Sequence, residues 1–301
     1  MGGAPLCMLI IARWDRVSDV IHPTSRFHAD TWPQRWDLCT AGATFAAMST
    51  TDPAPVDLLL SSGFLAFGRH IGFLEAISEA EVSVHGVYGT SSGALVGAMW
   101  AAGLSTDDIL AEVTARRPID WMTVSWTPWA GVFDLSPMVD RLRELLPPTF
   151  EALSAVGRSR LAVGVRRRSG AFAFVSSGDL PGAVAASCAI PWVFRKVTLQ
   201  LGDGAEPCDD GGAVDRLGMA SWRGLAPPDR RAIVHLVDRS AGAESDDNLS
   251  DVAVVRTPRS GAGFWSLGDV RARADVARER TRGVLSGGVV PTEDCPVEGG
   301  L

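Results

Sequence analysis

A serine lies between glycines in the segment GTSSG, residues 89 to 93. The overlapping stretch VHGVYG is typical of a strand, and the stretch SGALVGAMWAAG after it is typical of an apolar helix. A sharp turn from strand to helix lifts a serine hydroxyl above a sheet, and Gly89 and Gly93 permit the close backbone approach that such a turn requires. The segment therefore predicts that Ser91 is a nucleophile, with an ordinary Gly-Ser turn as the alternative.

A serine nucleophile needs a group that accepts its proton. The segment PCDDGGAVDRLG offers Asp210, and Gly211 and Gly212 after it leave room for a carboxylate close to another backbone. The small apolar segment AVAASCAIPWVF, just upstream, is suited to pack tightly against the serine turn. We predict that Asp210 is the base. The alternative is a solvated turn aspartate, because Asp-Gly is a common turn dipeptide.

A histidine offers a different base. His235 follows Asp210 in the chain order Ser, Asp, His that α/β-hydrolase triads use. It lies inside AIVHLVD, between apolar residues of a predicted strand, so a structural histidine paired with Asp238 is the favoured interpretation. His70 and His85 are also interpreted as structural residues.

A third segment could stabilise negative charge on a substrate. LLLSSGFLAFGRHIGFLEAI predicts a strand, a loop with a glycine, and a helix. Such a loop can present backbone N–H groups to an oxyanion. Gly63, Phe64 and Leu65 are therefore the candidate oxyanion-hole residues, and an ordinary strand–helix loop is the alternative.

Strands and helices alternate along the chain around these segments. VDLLLSS lacks polar alternation, as expected for a strand covered on both faces, and LAVGVRRRSGAFAFV predicts two strands around a Ser-Gly turn. Ser105 with Asp108 predicts a helix capping box, and Ser136 before Pro137 predicts a second helix start. The order of elements predicts an α/β fold with a mainly parallel sheet and helices on both faces.

Composition limits the function classes. The 301 residues are 46% hydrophobic and carry a net charge of −7, which offers no electrostatic footprint for nucleic acid. Five scattered cysteines without a C-x-x-C spacing argue against a disulfide framework or a zinc site, so we expect no metal, no cofactor and a reducing compartment. No apolar run approaches the roughly 20 residues that span a bilayer. These features predict a cytoplasmic protein, and the single lysine, Lys196, suggests G+C-rich bacterial coding.

The first 47 residues differ from the rest of the chain. Residues 1–47 mix tryptophan, histidine and proline without periodicity, whereas Met48 begins a short polar lead into a strand. The sequence predicts a flexible N-terminal extension, or a chain start assigned too far upstream, followed by one catalytic domain over residues 48–301.

Taken together and in this order, the three chemical segments resemble the patatin-like phospholipase family. The motifs GTSSG, ASCAIPWVF and DDGGAVDRLG carry the resemblance, and RHIGFLEAI is similar to the helix after the family's glycine loop. The resemblance covers roughly residues 56 to 240. It implies a three-layer α/β/α sandwich with a mainly parallel central sheet. It also implies a Ser91–Asp210 dyad that attacks a lipid acyl ester without histidine, as in a phospholipase.

One departure from the family pattern leaves other functions open. The family's glycine triplet and basic residue are reduced here to Gly63, with Ala66 at the position of the basic residue. A catalytically weak or inactive lipid-binding relative is therefore one alternative, and a serine esterase with a Ser-Asp-His triad is another. Headgroup, acyl length and oligomeric state are left open.

The partners expected from the sequence are a lipid or acyl-ester substrate and a peripheral contact with a membrane. The aromatic segment DWMTVSWTPWAGVF could line an acyl tunnel, contact a membrane interface or pack into the core. The run of arginines at 166 to 168 is most simply a solvated hairpin tip, with anionic headgroups as an alternative contact.

Overall fold

The computed structural model describes residues 54–156, 159–202, 204–238 and 249–287. The predicted extension, residues 1–47, lies outside the described residues, as does the C-terminal end from residue 288. Within the described ranges, no helix combines the length and the apolar character needed to cross a bilayer.

One sheet of eight strands forms the centre, in the order β10-β9-β1-β2-β5-β8-β7, with β6 beside β5. A separate hairpin contains β3 and β4. The strands are β1 Val56–Leu60, β2 Val84–Thr90, β3 Thr123–Val124, β4 Phe133–Asp134, β5 Arg160–Arg166, β6 Phe172–Val175, β7 Val197–Leu201, β8 Gly204–Asp210, β9 Ala232–Val237 and β10 Ala253–Thr257.

The described α-helices lie between these strands in sequence. They are α1 Phe67–Glu79, α2 Ser92–Ala101, α3 Thr106–Thr114, α4 Ser136–Leu145, α5 Phe150–Val156, α6 Leu180–Cys188, α7 Met219–Leu225 and α8 Val270–Leu285. Three short 3₁₀ turns cover 118–121, 128–130 and 211–213.

The strand directions bring the chemical segments to one edge. Strands β10, β9, β1, β2 and β5 are parallel, so β1 and β2 end at the same edge of the sheet. Strand β8 runs antiparallel to β5 and pairs with it only at the last residues of β5, where Asp210 lies opposite Val165. The end of β8 therefore lies at the edge where the parallel strands end.

Helices cover both faces of the sheet. Leu60 faces α2, because a Cβ on Gly97 of that helix would lie 3.1 Å from the Leu60 side chain. The neighbouring Leu59 points to the opposite face, where it packs with Met219 and Trp222 of α7. Strand β1 is buried along its whole length, as its unbroken apolar run predicted. The predicted mainly parallel α/β sandwich is confirmed.

Helix starts follow local polar chemistry, with one correction. The predicted capping box at α3 is present, because Ser105 Oγ accepts the Asp108 N–H at 3.1 Å and the Asp108 carboxylate accepts the Ser105 N–H at 3.3 Å. The prediction that Ser136 caps α4 is wrong by one position: Leu135 is the N-cap, and Ser136 donates its N–H back to Asp134 Oδ1 at 2.8 Å.

The arginine run also differs from its prediction. Arg166 forms a bidentate ion pair with buried Asp209, and Arg167 pairs with Glu206 at 2.6 Å. Arg166 is fixed at the β5–β8 junction, so the solvated-tip interpretation is wrong for it, whereas Arg167 lies at the turn with about two-fifths of its side chain exposed.

Candidate active site

The turn between β2 and α2 places Ser91 in a strained backbone conformation. Its φ of 55° and ψ of −120° lie in a region that residues with a Cβ rarely adopt. Such strain costs on the order of 1–3 kcal/mol and persists only where the surrounding structure imposes it. Ser91 is half-buried, whereas Ser92, one step into the helix, is buried.

Close packing explains the two glycines of the turn. A Cβ on Gly93 would lie 2.5 Å from the carbonyl oxygen of Leu60, so α2 begins directly above the end of β1. A Cβ on Gly89 would lie 2.5 Å from the carbonyl oxygen of Gly93. Both positions therefore require glycine, as the motif predicted.

A buried serine on α6 fixes the turn from the other side. Ser187 Oγ accepts the Ser91 N–H at 2.8 Å and donates to the carbonyl of Gly164 in β5 at 2.6 Å. Sequence reasoning recognised this segment as a packing element and missed the role of Ser187. The signal was a hydroxyl residue within an otherwise small apolar run.

Asp210 reaches the same place from β8. Its N–H donates to the carbonyl of Ala189 at 3.0 Å, directly after the helix that contacts the serine turn. One carboxylate oxygen accepts the Gly212 N–H at 2.7 Å, and the Ser91 side chain lies near enough to this carboxyl to lower its pKa. The structure therefore brings together the two side chains that the sequence singled out as nucleophile and base.

Burial gives Asp210 an unusual acidity. Removal of the carboxyl from water raises its pKa to about 7. Hydrogen bonds from Ser91 and Gly212 oppose this rise, the negative charge of Asp209 adds to it, and Arg166 counteracts it. A carboxylate in this state is a far better proton acceptor near neutral pH than an ordinary aspartate.

Asp209, the residue before the candidate base, was missed from the sequence. It is fully buried, and both of its oxygens bind Arg166, at 2.6 and 2.7 Å. Lys196 lies 3.1 Å from the same carboxylate. Arg166 holds the end of β8 against β5, and Lys196 binds the same carboxylate from the residue before β7, so the two cations position Asp210 through its neighbour.

The loop after β1 has unused backbone donors. Among the residues that the structure describes, the N–H groups of Gly63, Phe64 and Leu65 donate to no acceptor. Leu65 has a φ of 48°, so the strain falls there and not on Phe64. These are the donors that the sequence assigned to an oxyanion hole.

Neighbouring segments pin this loop firmly. Arg216 donates to the carbonyl of Ser62 at 2.9 Å and accepts the Ser62 N–H through its own carbonyl at 2.9 Å. A Cβ on Gly212 would lie 2.5 Å from the Ser62 side chain, so the Asp-Gly-Gly turn rests directly on the loop. Ser260 Oγ donates to the carbonyl of Phe64 at 2.5 Å.

Position 66, where the family has its basic residue, holds a buried alanine. Ala66 is fully buried, and a Cβ on Gly63 would lie 2.9 Å from it. Arg69, the other cation considered, donates to the carbonyl of Arg273 in α8 at 3.1 Å, so it is turned toward the terminal helix.

An apolar cavity of about 80 Å³ opens at Ser91. Its walls come from the loop after β1, the start of α2, the segment around the β3–β4 hairpin and the segment after α6. They comprise Phe64, Leu65, Phe67, Ser91, Ser92, Leu95, Val113, Pro118, Trp121, Met122, Leu135, Met138, Cys188, Ile190, Phe194 and Phe264. Trp121 thus lines the cavity, while Trp126 and Trp129 of the same aromatic segment are exposed.

The histidines form a separate buried chain. His235 Nδ1 lies 2.8 Å from His70 Nδ1, and His235 Nε2 lies 3.0 Å from Thr257 Oγ1. His70 Nε2 in turn lies 3.2 Å from Ser92 Oγ. Both ring nitrogens of His235 are occupied, and its partners are His70 and Thr257 in place of the expected Asp238. The structural interpretation of His235 therefore fits its position.

Burial keeps this histidine pair neutral. Desolvation lowers the pKa of His70 to about 3 and lowers that of His235 well below its ordinary value. The stacked ring of Phe73, with its centroid 4.8 Å from that of His235, completes the enclosure.

The mainly parallel sheet with helices on both faces defines an α/β sandwich, and its strained serine turn and buried aspartate meet at one edge of that sheet. The sequence model of the patatin-like phospholipase family matches residues 58–221, more than half of the chain. This protein therefore belongs to the patatin-like phospholipase family.

Two sets of known proteins resemble the chain. Uncharacterised NTE family proteins of Mycobacterium bovis and Mycobacterium tuberculosis are 29% identical over 223 residues, or 73% of this chain. The chain spans 60% of the length of these relatives. VipD of Legionella pneumophila aligns at a TM-score of 0.49 and 14% identity, over 77% of this chain and 67% of VipD. The effector ExoU of Pseudomonas aeruginosa aligns at 0.45 and 15%, over 77% of this chain and 53% of ExoU.

Proposed function

We propose that this protein is a serine-dependent lipid acyl hydrolase that cleaves a carboxylic ester with a Ser91–Asp210 dyad. The observation that carries the proposal is that a strained serine at the start of α2 and a buried carboxyl at the end of β8 lie together at one edge of the sheet. A serine hydroxyl is a weak nucleophile until a neighbouring base takes its proton. Asp210 is the carboxyl that interacts with its side chain, whereas the nearby Cys188 thiol contacts only the Ser91 carbonyl.

The order of proton and bond changes follows from these contacts. Ser91 Oγ attacks the acyl carbonyl carbon while its proton passes to Asp210. The ester's alcohol leaves with that proton, and an acyl-serine remains. Water then attacks the acyl carbon, Asp210 takes the water's proton, and the carboxylic acid departs as the proton returns to Ser91.

The remaining parts of the site support this reaction. The unused N–H groups of Gly63, Phe64 and Leu65 are suited to bind the oxyanion of each tetrahedral intermediate. The apolar cavity beside Ser91 suits an acyl chain, because its walls are almost entirely hydrocarbon and aromatic. The family makes a phospholipid the first substrate to test.

A covalent probe tests the nucleophile. A fluorophosphonate should label the wild-type protein and fail to label Ser91→Ala. The matched control is Ser92→Ala, which removes the adjacent hydroxyl and its contact with His70. Ser92→Ala is expected to lose some stability and keep its labelling, so labelling of folded Ser91→Ala would refute the assignment.

A non-catalytic lipid-binding protein is the second candidate, because the loop lacks the family's glycine triplet and basic residue. A series of p-nitrophenyl acyl esters separates the two candidates. Turnover by wild type that is absent in Ser91→Ala supports the hydrolase. Binding of acyl chains without turnover, in a protein that the probe fails to label, supports the binder.

A further inference from the structure

Four exposed tryptophans lie close in sequence to the residues that line the Ser91 cavity. Trp126 is 97% exposed, Trp192 84% and Trp129 81%, and Trp265 is about half exposed. Most tryptophans in folded proteins bury their large rings. The other strongly exposed apolar side chains include Val156 on α5 and Leu225 on α7, which lie on separate helices.

Each of these tryptophans belongs to a segment that forms a wall of the cavity. Trp192 lies between Ile190 and Phe194, and Trp265 follows Phe264; all three of these neighbours line the cavity. The hairpin with Trp126 and Trp129 begins just after the lining residues of the 118–122 segment.

Backbone contacts join these segments into one rim. Phe133 of the hairpin donates its N–H to the carbonyl of Val193 at 2.9 Å and accepts the Arg195 N–H at 2.8 Å. A Cβ on Gly131 would lie 2.3 Å from the backbone nitrogen of Arg195, so the hairpin and the Trp192 segment touch directly. Ile119 donates its N–H to the carbonyl of Phe264 at 3.0 Å, which attaches the Trp265 segment.

The backbone around the exposed tryptophans is ordered, and at Trp192 it is strained. Trp192 has a φ of 69°, in the left-handed region. This conformation is unfavourable for any residue that has a Cβ. The hairpin tip has its own hydrogen bonds, from the Ser125 N–H to the carbonyl of Val132 at 2.9 Å and from the Thr127 N–H to Ser125 Oγ at 3.0 Å. An exposed ring gains little from folding, so burial of the Trp192 ring does not explain its strained backbone.

Several charges near the rim are paired. Arg195 pairs with Asp134 at 3.1 Å, Lys196 with Asp209 at 3.1 Å, and Arg117 with Asp120 at 2.9 Å. The chain as a whole carries a net charge of −7. These paired charges give a strongly anionic partner little attraction, whereas a neutral amphipathic partner fits the exposed rings. Tryptophan is favoured at the headgroup level of bilayers, where its ring is apolar and its N–H finds a polar partner.

We propose that this rim, Trp126, Trp129, Trp192 and Trp265, docks the protein on a zwitterionic lipid surface with the mouth of the Ser91 cavity against it. The proposal rests on the proposed function for the role of the cavity, but the docking itself is independent of catalysis. Insertion of the rings lets a lipid acyl chain pass from the surface into the cavity without crossing water.

The test is co-sedimentation of the full chain with phosphatidylcholine vesicles at low and high salt. Wild type and Ser91→Ala should bind equally, with little salt dependence. The double variant Trp126→Ser/Trp129→Ser should bind at least roughly tenfold more weakly, given the apolar area that two rings bury. Leu225→Ser, an exposed apolar side chain on α7, is the matched control and should bind as wild type.

A soluble short-chain ester separates failure of docking from failure of the proposed function. The double variant should hydrolyse p-nitrophenyl butyrate at the wild-type rate and lose rate on vesicle phospholipid. Vesicle binding without any hydrolysis would reject the hydrolase and keep the docking. Unchanged vesicle binding by the double variant, no binding by wild type, or binding only to anionic vesicles would overturn the proposal. So would a stable dimer that the two substitutions dissociate, because the rim would then bind a second copy of the chain.

Discussion

Asp210→Asn should abolish turnover. It should also make the folded protein more stable than wild type, by an amount that grows as the pH rises. The substitution keeps the shape of the side chain. The amide oxygen can still accept the Gly212 N–H, and the amide nitrogen can donate to Ser91. The substitution removes the negative charge of the carboxylate, which burial disfavours, and it also removes the proton acceptor.

The size of the stability change follows from the acidity of the carboxyl. Folding raises the pKa of Asp210 from its ordinary 3.8 to about 7. Because the folded pKa is raised, the folded state holds its proton more tightly, and wild-type stability falls as the pH rises from 3.8 through 7. At about 1.4 kcal/mol for each tenfold change in acidity, the raised pKa lowers the stability of the folded state by about 4 kcal/mol at pH 8 and about 2 kcal/mol at pH 5.

The assay is urea unfolding of both proteins at pH 5 and pH 8, with ester hydrolysis measured across the same range. The stability of Asp210→Asn relative to wild type should increase by about 2–3 kcal/mol between the two pH values. Wild-type kcat/KM should fall roughly 100-fold from its plateau to pH 5, because only about 1% of a group with a pKa of about 7 is ionised there.

Asp209→Asn is the matched control. It changes the neighbouring carboxylate, which is bound by Arg166 and Lys196. Loss of this carboxylate is destabilising, by up to about 3–5 kcal/mol. Any relative gain at high pH should be much smaller than for Asp210→Asn, because burial contributes more than the Asp209 charge to the raised pKa of Asp210. If the relative stability of Asp210→Asn were the same at pH 5 and pH 8, the raised pKa would be wrong. Turnover by folded Asp210→Asn would reject Asp210 as the base.

Other substitutions test the surroundings of the site. Gly63→Ala should lower kcat by up to ~10²–10³ with little change in KM, because its Cβ would lie 2.9 Å from Ala66 and displace the donor loop; wild-type kcat would reject the loop as the oxyanion site. Ala66→Arg, which restores the family's basic residue, should destabilise the protein by several kcal/mol in urea unfolding, because position 66 is fully buried. His235→Gln should lower the melting temperature and leave kcat of the folded protein within a few-fold. If kcat/KM of this variant no longer changed with pH near 7, a histidine triad would be favoured. A chain starting at Met48 should keep the melting temperature and esterase rate of the full chain, and a clear drop in melting temperature would contradict that expectation.

Much of the fold was predictable, because its signals are local. The unbroken apolar run of β1 predicted a strand buried on both faces, and the structure buries all five of its residues. The capping box at Ser105 was also readable, since its two hydrogen bonds join residues three positions apart. The start of α4 was misplaced by one residue because Asp134, before the helix, competes for Ser136.

The site was predictable in its residue types and not in its supports. Ser91 and Asp210 carry short motifs, in which glycines mark places where another backbone approaches closely. Ser187 and Lys196 carry no such mark. They act through partners that are 96 and 13 positions away in the chain, Ser91 and Asp209, and only folding brings those partners into reach.

The sequence by itself determined the kind of chemistry: a serine in a glycine turn, an aspartate before two glycines, and strands and helices in an alternating order. Such features are local, since each depends on side-chain type and a few neighbouring dihedral angles. The tertiary structure decided how that chemistry could operate. It removes Asp210 from water and so raises its pKa to about 7, turns Arg69 toward α8, and joins His235 to His70 rather than to the nucleophile. Solvation and charge depend on what surrounds a group in space, and those surroundings come from distant parts of the chain.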